Sequence, residues 1–276
     1  MGKGKYMIKI ACVGCSWTEG VQHDGKPIDK QETYPYALTR WLKQKDINNT
    51  VYNAGRAACG ISFYPFVTDY LLEEFNTDIF VIQITTHDRS MLMLDPILDK
   101  EKKMTFGWDE DDVQYYKVWD NNTNLVHLSP GIGASASKHS DVNQWSDFVK
   151  HLWETRIKNR VTPELTYDAF KNYVATWWEQ SKDSHYQSYF YYQQTYTLID
   201  HLEALGKKVI PFYWINYKPK LKTNMFPVRQ FPSIENLFDD ATFKSLQIDN
   251  GYHFGKEGNT RLVQEFLGPQ VLETMK

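Results

Sequence analysis

Apolar positions along this chain follow two rhythms, one of short unbroken runs and one of helical spacing. Ile8, Ile10, Ala11, Cys12 and Val13 form a run with the length and make-up of a buried strand. It breaks at Gly14 into Cys15, Ser16 and Trp17, with Gly20 beyond. After a polar loop, residues 34–44 place Tyr34, Ala37, Leu38, Trp41 and Leu42 on one side and Arg40 and Lys43 on the other, which predicts an amphipathic helix. A short strand is predicted over 48–53. A loop of small residues from Asn53 to Ser62 follows, and its glycines allow close backbone approach. Helical spacing returns over 63–75 through Phe66, Val67, Tyr70 and Leu71. Residues 78–85 read as the most apolar buried strand in the chain and run into Thr86, His87, Asp88 and Arg89. Strands and helices alternating at this spacing predict an α/β fold with a parallel sheet built from βαβ units.

Beyond Leu92 the pattern changes. Residues 113–119 alternate and meet a polar turn before 125–128, which predicts a hairpin. Residues 131–140 are rich in Gly, Ala and Ser and are predicted to be mobile. Helical tracts are predicted over 143–159 and 163–205, the second opened by Thr162-Pro163 and broken near Lys182 and Ser184. Residues 208–215 return to strand character, with Pro211 pointing to an edge or bulge. A terminal helix is predicted through Leu262, Val263, Phe266 and Leu267.

Bulk properties narrow the function classes. The chain has 276 residues and a net charge of −3 with both signs interspersed, so no nucleic-acid surface and no basic membrane patch is predicted. No run approaches the roughly 18 apolar residues of a membrane span. The amino terminus leads almost directly into the first strand, so no cleavable signal is expected, and Tyr6 stands where a myristoylation motif has Ser or Thr. Three cysteines make no disulfide framework. A soluble cytoplasmic protein is the expectation, and a viral or phage-encoded origin fits the same description. Cys12 and Cys15 have redox-motif spacing, but Cys12 lies inside a strand, and only Cys59 remains as a further thiolate for zinc. Neither metal nor cofactor is predicted. With 18 Tyr, 15 Phe and 9 Trp, much of it in the middle third, an aromatic-rich cap or binding surface is expected.

The chemistry-bearing residues sit in separate segments that a doubly wound sheet brings to one edge: Ser16, the loop around Gly60, His87-Asp88, and Asp249 with His253. Acyl transfer by a serine needs this set: a base for the hydroxyl proton, an acid to orient the base, and donors for an oxyanion. Other readings stand beside it. Ser16 as a turn cap, His253 as a capping histidine and His87 as a satisfied polar group at a strand end each explain one segment.

The segments Gly14-Cys15-Ser16-Trp17-Thr18-Glu19-Gly20, Asn53 to Gly60, Val81 to Asp88 and Asp249 to Gly258 resemble, in order, the conserved blocks of the SGNH (GDSL-type) hydrolases. The first is similar to a Gly-Cys-Ser-x-Thr-x-Gly variant of that family. The resemblance covers about residues 7–90 and 205–275. It implies a three-layer, flavodoxin-like α/β/α fold, with residues 1–90 and 205–276 as the hydrolase core and 91–204 as an inserted cap of hairpin and helices partly packed on it. It also implies Ser16 as nucleophile, His253 as base, Asp249 as orienting acid, and Ser16, Gly60 and His87 as oxyanion donors, with Gly55 as the alternative to Gly60. Trp17 and Arg89 are the expected substrate contacts, although Asp88 and Arg89 also suit a local ion pair.

The family pattern is departed from at Cys15, at His87 where an asparagine is usual, and at Asp249. Asp249 stands four residues before His253, and the family's spacing falls on Asn250. A weak activity, or none, is expected from these departures. The implied reaction is hydrolysis of a small acyl ester, most simply acetyl on a carbohydrate, through an acyl-Ser16 intermediate. Acyl transfer to a sugar acceptor would use the same site. A non-catalytic carbohydrate-binding or structural module is the rival. Oligomeric state is left open.

Overall fold

The computed structural model describes residues 7–20, 22, 27–55, 60–85, 90–93, 106–108, 113–116, 125–128, 149–150, 153–154, 158, 165–182, 184–214, 229–249 and 252–276. The first half alternates β1 (Ile8–Gly14), the single-turn α1 (Ser16–Glu19), α2 (Tyr34–Lys43), β2 (Asn49–Gly55), α3 (Tyr64–Phe75) and β3 (Ile79–Ile84). Short strands β4 (Ser90–Met93), β5 (Phe106–Trp108), β6 (Val113–Tyr116) and β7 (Leu125–Leu128) follow. After α4 (Tyr167–Lys182) and α5 (Ser184–Ala204) comes β8 (Lys208–Tyr213), then α6 (Asp240–Ser245). The chain closes with α7 (Lys256–Leu262), a π-helical turn at Val263–Leu267 and α8 (Gly268–Thr274).

The main sheet is six-stranded in the order β5-β6-β2-β1-β3-β8. Its pairings are parallel except for β5 with β6. Every residue of β2 and β3 is buried, as is all of β1 but Lys9, which is why these strands read as apolar runs without alternation. The chain steps from β1 out to β2 and then back across β1 to β3. Right-handed crossovers therefore put α2 and α3 on opposite faces. On one face α2 packs on β2 and against α7 and the π turn, while α3 packs on β1 and α5 on β8. This is the expected three-layer α/β/α arrangement with a flavodoxin-like strand order. The order reverses around β1, so the carboxyl end of β1 lies at the topological switch point where open α/β sheets bind ligands.

Local patterns hold with informative shifts. α2 buries Tyr34, Ala37, Leu38 and Leu42 as its spacing predicts, with Pro35 in its first turn. α3 is rotated from its predicted face, and buries Tyr64, Val67, Thr68 and Leu71 while Phe66 and Tyr70 sit on its flank. Thr68 is accommodated inside because its hydroxyl donates to the Tyr64 carbonyl at 3.0 Å. Pro211 lies on the sheet's edge strand, where a residue lacking an N–H is tolerated. Among the described residues, 113–116 and 125–128 do not pair as the hairpin predicted over 113–119 and 125–128 requires. β6 instead joins the main sheet beside β2 and pairs with β5, while β7 pairs with β4. Alternation marks a strand but not its partner, and the outer edge of β2 offered β6 a row of unpaired backbone groups.

Tyr191 and Tyr192 on α5 are buried, 5.8 Å apart and edge to face, so that part of the tyrosine run packs the core. Residues 131–140 and Thr162-Pro163 lie outside the described residues. Among the described residues, no helix is long and apolar enough to cross a membrane.

Candidate active site

The site begins where β1 ends. Cys15 stands outside the helical conformation, and its carbonyl accepts the Thr18 and Glu19 N–H groups at 3.0 and 2.9 Å, winding residues 16–19 into one helical turn. Gly20, at φ 85°, closes the turn with its N–H on the Ser16 carbonyl at 2.8 Å. The Ser16 N–H opens the turn and has no acceptor among the described residues.

A buried polar network fixes this turn from beneath. Gln83, on β3 and fully buried, accepts the Cys15 N–H at 2.9 Å and the Thr18 hydroxyl at 3.2 Å through Oε1. The Thr18 proton is thereby committed, so the contact of Thr18 Oγ1 with Tyr34 Oη at 2.9 Å has Tyr34 donating. Burial pushes the Tyr34 phenol well above its ordinary pKa, which keeps that proton in place. Tyr64 Oη donates to the Gln83 carbonyl at 2.7 Å. The sequence reading does not identify Gln83. Its signal is a lone polar residue within Ile-Phe-Val-Ile-Gln-Ile, a run otherwise fit for a dry core.

The second half comes from a narrow loop near the end of the chain. Gln247 bridges Phe254, and the Ile248 N–H donates to the His253 carbonyl at 2.8 Å, so residues 247–254 fold back on themselves. This closure puts Asp249 beside its own loop's histidine. Asp249 Oδ1 accepts the His253 backbone N–H at 3.2 Å, and the carboxylate meets His253 Nδ1 at 2.8 and 3.0 Å. A carboxylate can only accept, so Nδ1 carries the proton. Nε2 then presents its lone pair as an acceptor, and it lies 3.0 Å from Ser16 Oγ. The His253 side chain is 5% exposed and that of Asp249 15%, whereas Ser16 keeps partial access to solvent.

Of the predicted site residues, the fold brings Ser16, His253 and Asp249 together. Asp249, despite its spacing, occupies Nδ1, and Asn250 lies outside the described residues. Gly60 is buried in the β2–α3 connection at the same sheet edge. The Gly55 N–H is already spent on Asn53 Oδ1 at 3.1 Å. His87 and Arg89 lie outside the described residues. Trp17 is only 7% exposed, and its indole stacks on Trp214 at 5.3 Å and 12°, packing inward beneath the site. Cys12 and Cys15 are free and buried, and burial pushes the Cys12 thiol up, away from the thiolate that redox exchange requires.

No protein-family model matches the chain, and no curated protein matches it. Among solved structures, the chain is similar to a family 3 carbohydrate esterase of Clostridium thermocellum, with 14% identity over 98% of this chain and 99% of that one and a TM-score of 0.38. It is also similar to a carbohydrate acetylesterase family member from Sinorhizobium meliloti, with 16% identity over 97% and 98% of the two chains and a TM-score of 0.33.

Proposed function

We propose that this chain is a serine ester hydrolase of the SGNH type, acting on a small acyl ester through an acyl-Ser16 intermediate. The observation that carries the reading is the relay from Asp249 through His253 to Ser16, with contacts of 2.8 and 3.0 Å and one consistent proton arrangement. A capping serine and a capping histidine have no reason to meet with the imidazole lone pair on the hydroxyl. That chemistry is what a nucleophile and its base require.

In the proposed reaction, Ser16 Oγ attacks the ester carbonyl carbon as its proton passes to His253 Nε2. Asp249 holds the ring and stabilises the imidazolium. The carbonyl oxygen takes the negative charge, and the Ser16 and Gly60 N–H groups with His87 are its assigned donors. Collapse breaks the bond to the alkoxide, which leaves with the proton from Nε2. A water then attacks acyl-Ser16 with His253 again taking a proton, and the acid departs to regenerate Ser16. The acyl group we assign is acetyl and the alcohol a carbohydrate hydroxyl, as the sequence resemblance implies. With a sugar in place of water, the same site would perform acyl transfer.

The test combines p-nitrophenyl acetate hydrolysis with labelling by a fluorophosphonate probe. Turnover and labelling that both disappear in Ser16→Ala are expected. Labelling that survives Ser16→Ala, or a wild-type protein inert to both reagents across about pH 6–9, would leave the non-catalytic module as the better account.

A further inference from the structure

We infer that Trp214, at the end of β8, is a positioning residue that couples the nucleophile's turn to the histidine's loop; this rests on the hydrolase reading above. Ser16 and His253 are 237 residues apart in the chain, and their contact needs two separate loops held in one alignment. Trp214 touches both. Its ring stacks on Trp17, the residue after Ser16, at 5.3 Å and 12°. Its indole N–H donates to the carbonyl of Tyr252, the residue before His253, at 2.8 Å. The side chain is 1% exposed and is wedged further by Phe254, 5.1 Å away, and Phe212, 6.5 Å away.

The Tyr252 backbone says why such an anchor is needed. Among the described residues, the non-glycine positions with positive φ are Asp46, Asn76 and Tyr252. Asp and Asn visit that region readily, but an aromatic residue pays for it. Tyr252 is held at φ 62° with its side chain 45% exposed, so core burial of the ring does not impose the conformation. The hydrogen bond from Trp214, part-buried, holds its carbonyl at 2.8 Å and so fixes the orientation of the peptide that follows. With the indole N–H removed, the peptide between Tyr252 and His253 is free to relax, and the change reaches the N–H of that peptide, which His253 donates to Asp249 Oδ1 at 3.2 Å. The effect falls on alignment of Nε2 with Ser16 Oγ more than on substrate contact.

Trp214→Phe tests this, with 3-benzothienylalanine at position 214 as the second variant because it keeps ring size and stacking and lacks only the N–H. The expected result is a kcat lowered about ten- to hundredfold with KM within about threefold. The His253 Nδ1 proton resonance should shift or broaden while the melting temperature of the benzothienylalanine protein stays near wild type. If the Phe protein does not fold, the benzothienylalanine protein decides. Wild-type kcat together with an unmoved resonance in that protein overturns the proposal. Should the wild-type protein neither hydrolyse esters nor label at Ser16, the hydrolase reading falls by itself. The resonance would then still decide whether Trp214 aligns the histidine loop.

Discussion

His253 Nε2 lies 3.0 Å from Ser16 Oγ, and the same ring's Nδ1 lies 2.8 Å from Asp249 Oδ2. The direction of each proton in this chain follows from Asp249 being able only to accept. Replacing it with asparagine removes that direction, because an amide can donate to Nδ1 and favour the tautomer with Nε2 protonated. Asp249→Asn should lower kcat by about 10⁴-fold with little change in KM. Steady-state kinetics on p-nitrophenyl acetate, with circular dichroism to verify the fold, measures it.

Protonation of His253 fills the lone pair that must receive the Ser16 proton. The acid limb of kcat/KM should therefore fall with decreasing pH with a slope of about one, a single proton blocking each site. A slope near zero through the acid range would point to a base other than His253.

Gln83 supports the turn without touching the reacting atoms. Gln83→Leu strands the Cys15 N–H in the core and leaves the Thr18 hydroxyl to Tyr34 Oη, at a cost of about 1–3 kcal/mol. Urea unfolding should register this loss, and fluorophosphonate labelling of Ser16 should slow as the turn loosens. Unchanged stability would mean that the Cys15 N–H finds water or another acceptor.

A side chain at Gly55 would collide with the nucleophile's turn. Its Cβ would sit 2.2 Å from the Glu19 backbone nitrogen and 2.6 Å from the Thr18 carbonyl carbon. Gly55→Ala should cost about 2–3 kcal/mol and abolish labelling, since the neighbour is backbone and cannot swing aside. Gly206→Ala is the contrast. It has φ 75° and open space, so it should cost only about 1–2 kcal/mol of conformational strain and leave labelling intact.

Asp239 caps α6. The Thr242 N–H at 2.8 Å, and then the Thr242 hydroxyl at 2.9 Å, hold its carboxyl below the usual range. A depressed folded pKa contributes stability above the unfolded value, and this contribution is lost as pH falls through the folded one. Asp239→Asn should therefore flatten part of the acid-side decline in stability below about pH 5. Urea midpoints measured across that range check it, and a small effect is expected at so exposed a site.

The amino-acid order by itself determined the parallel α/β sheet, because buried strands leave unbroken apolar runs such as 79–84 and amphipathic helices leave a one-sided stripe such as that of α2. It also singled out Ser16, His253 and Asp249 as candidates, through the ordered set of segments that resembles the SGNH blocks, since each segment alone also fits a cap. Only the tertiary structure decided what depends on distance across the chain. It chose Asp249 for Nδ1 because the 247–254 loop folds back on itself, a closure that counting residues does not reveal. It gave β6 to the edge of β2, since alternation does not name a partner. It also placed Gln83 and Trp214 beneath the site, where their roles arise from packing between strands and loops far apart in sequence.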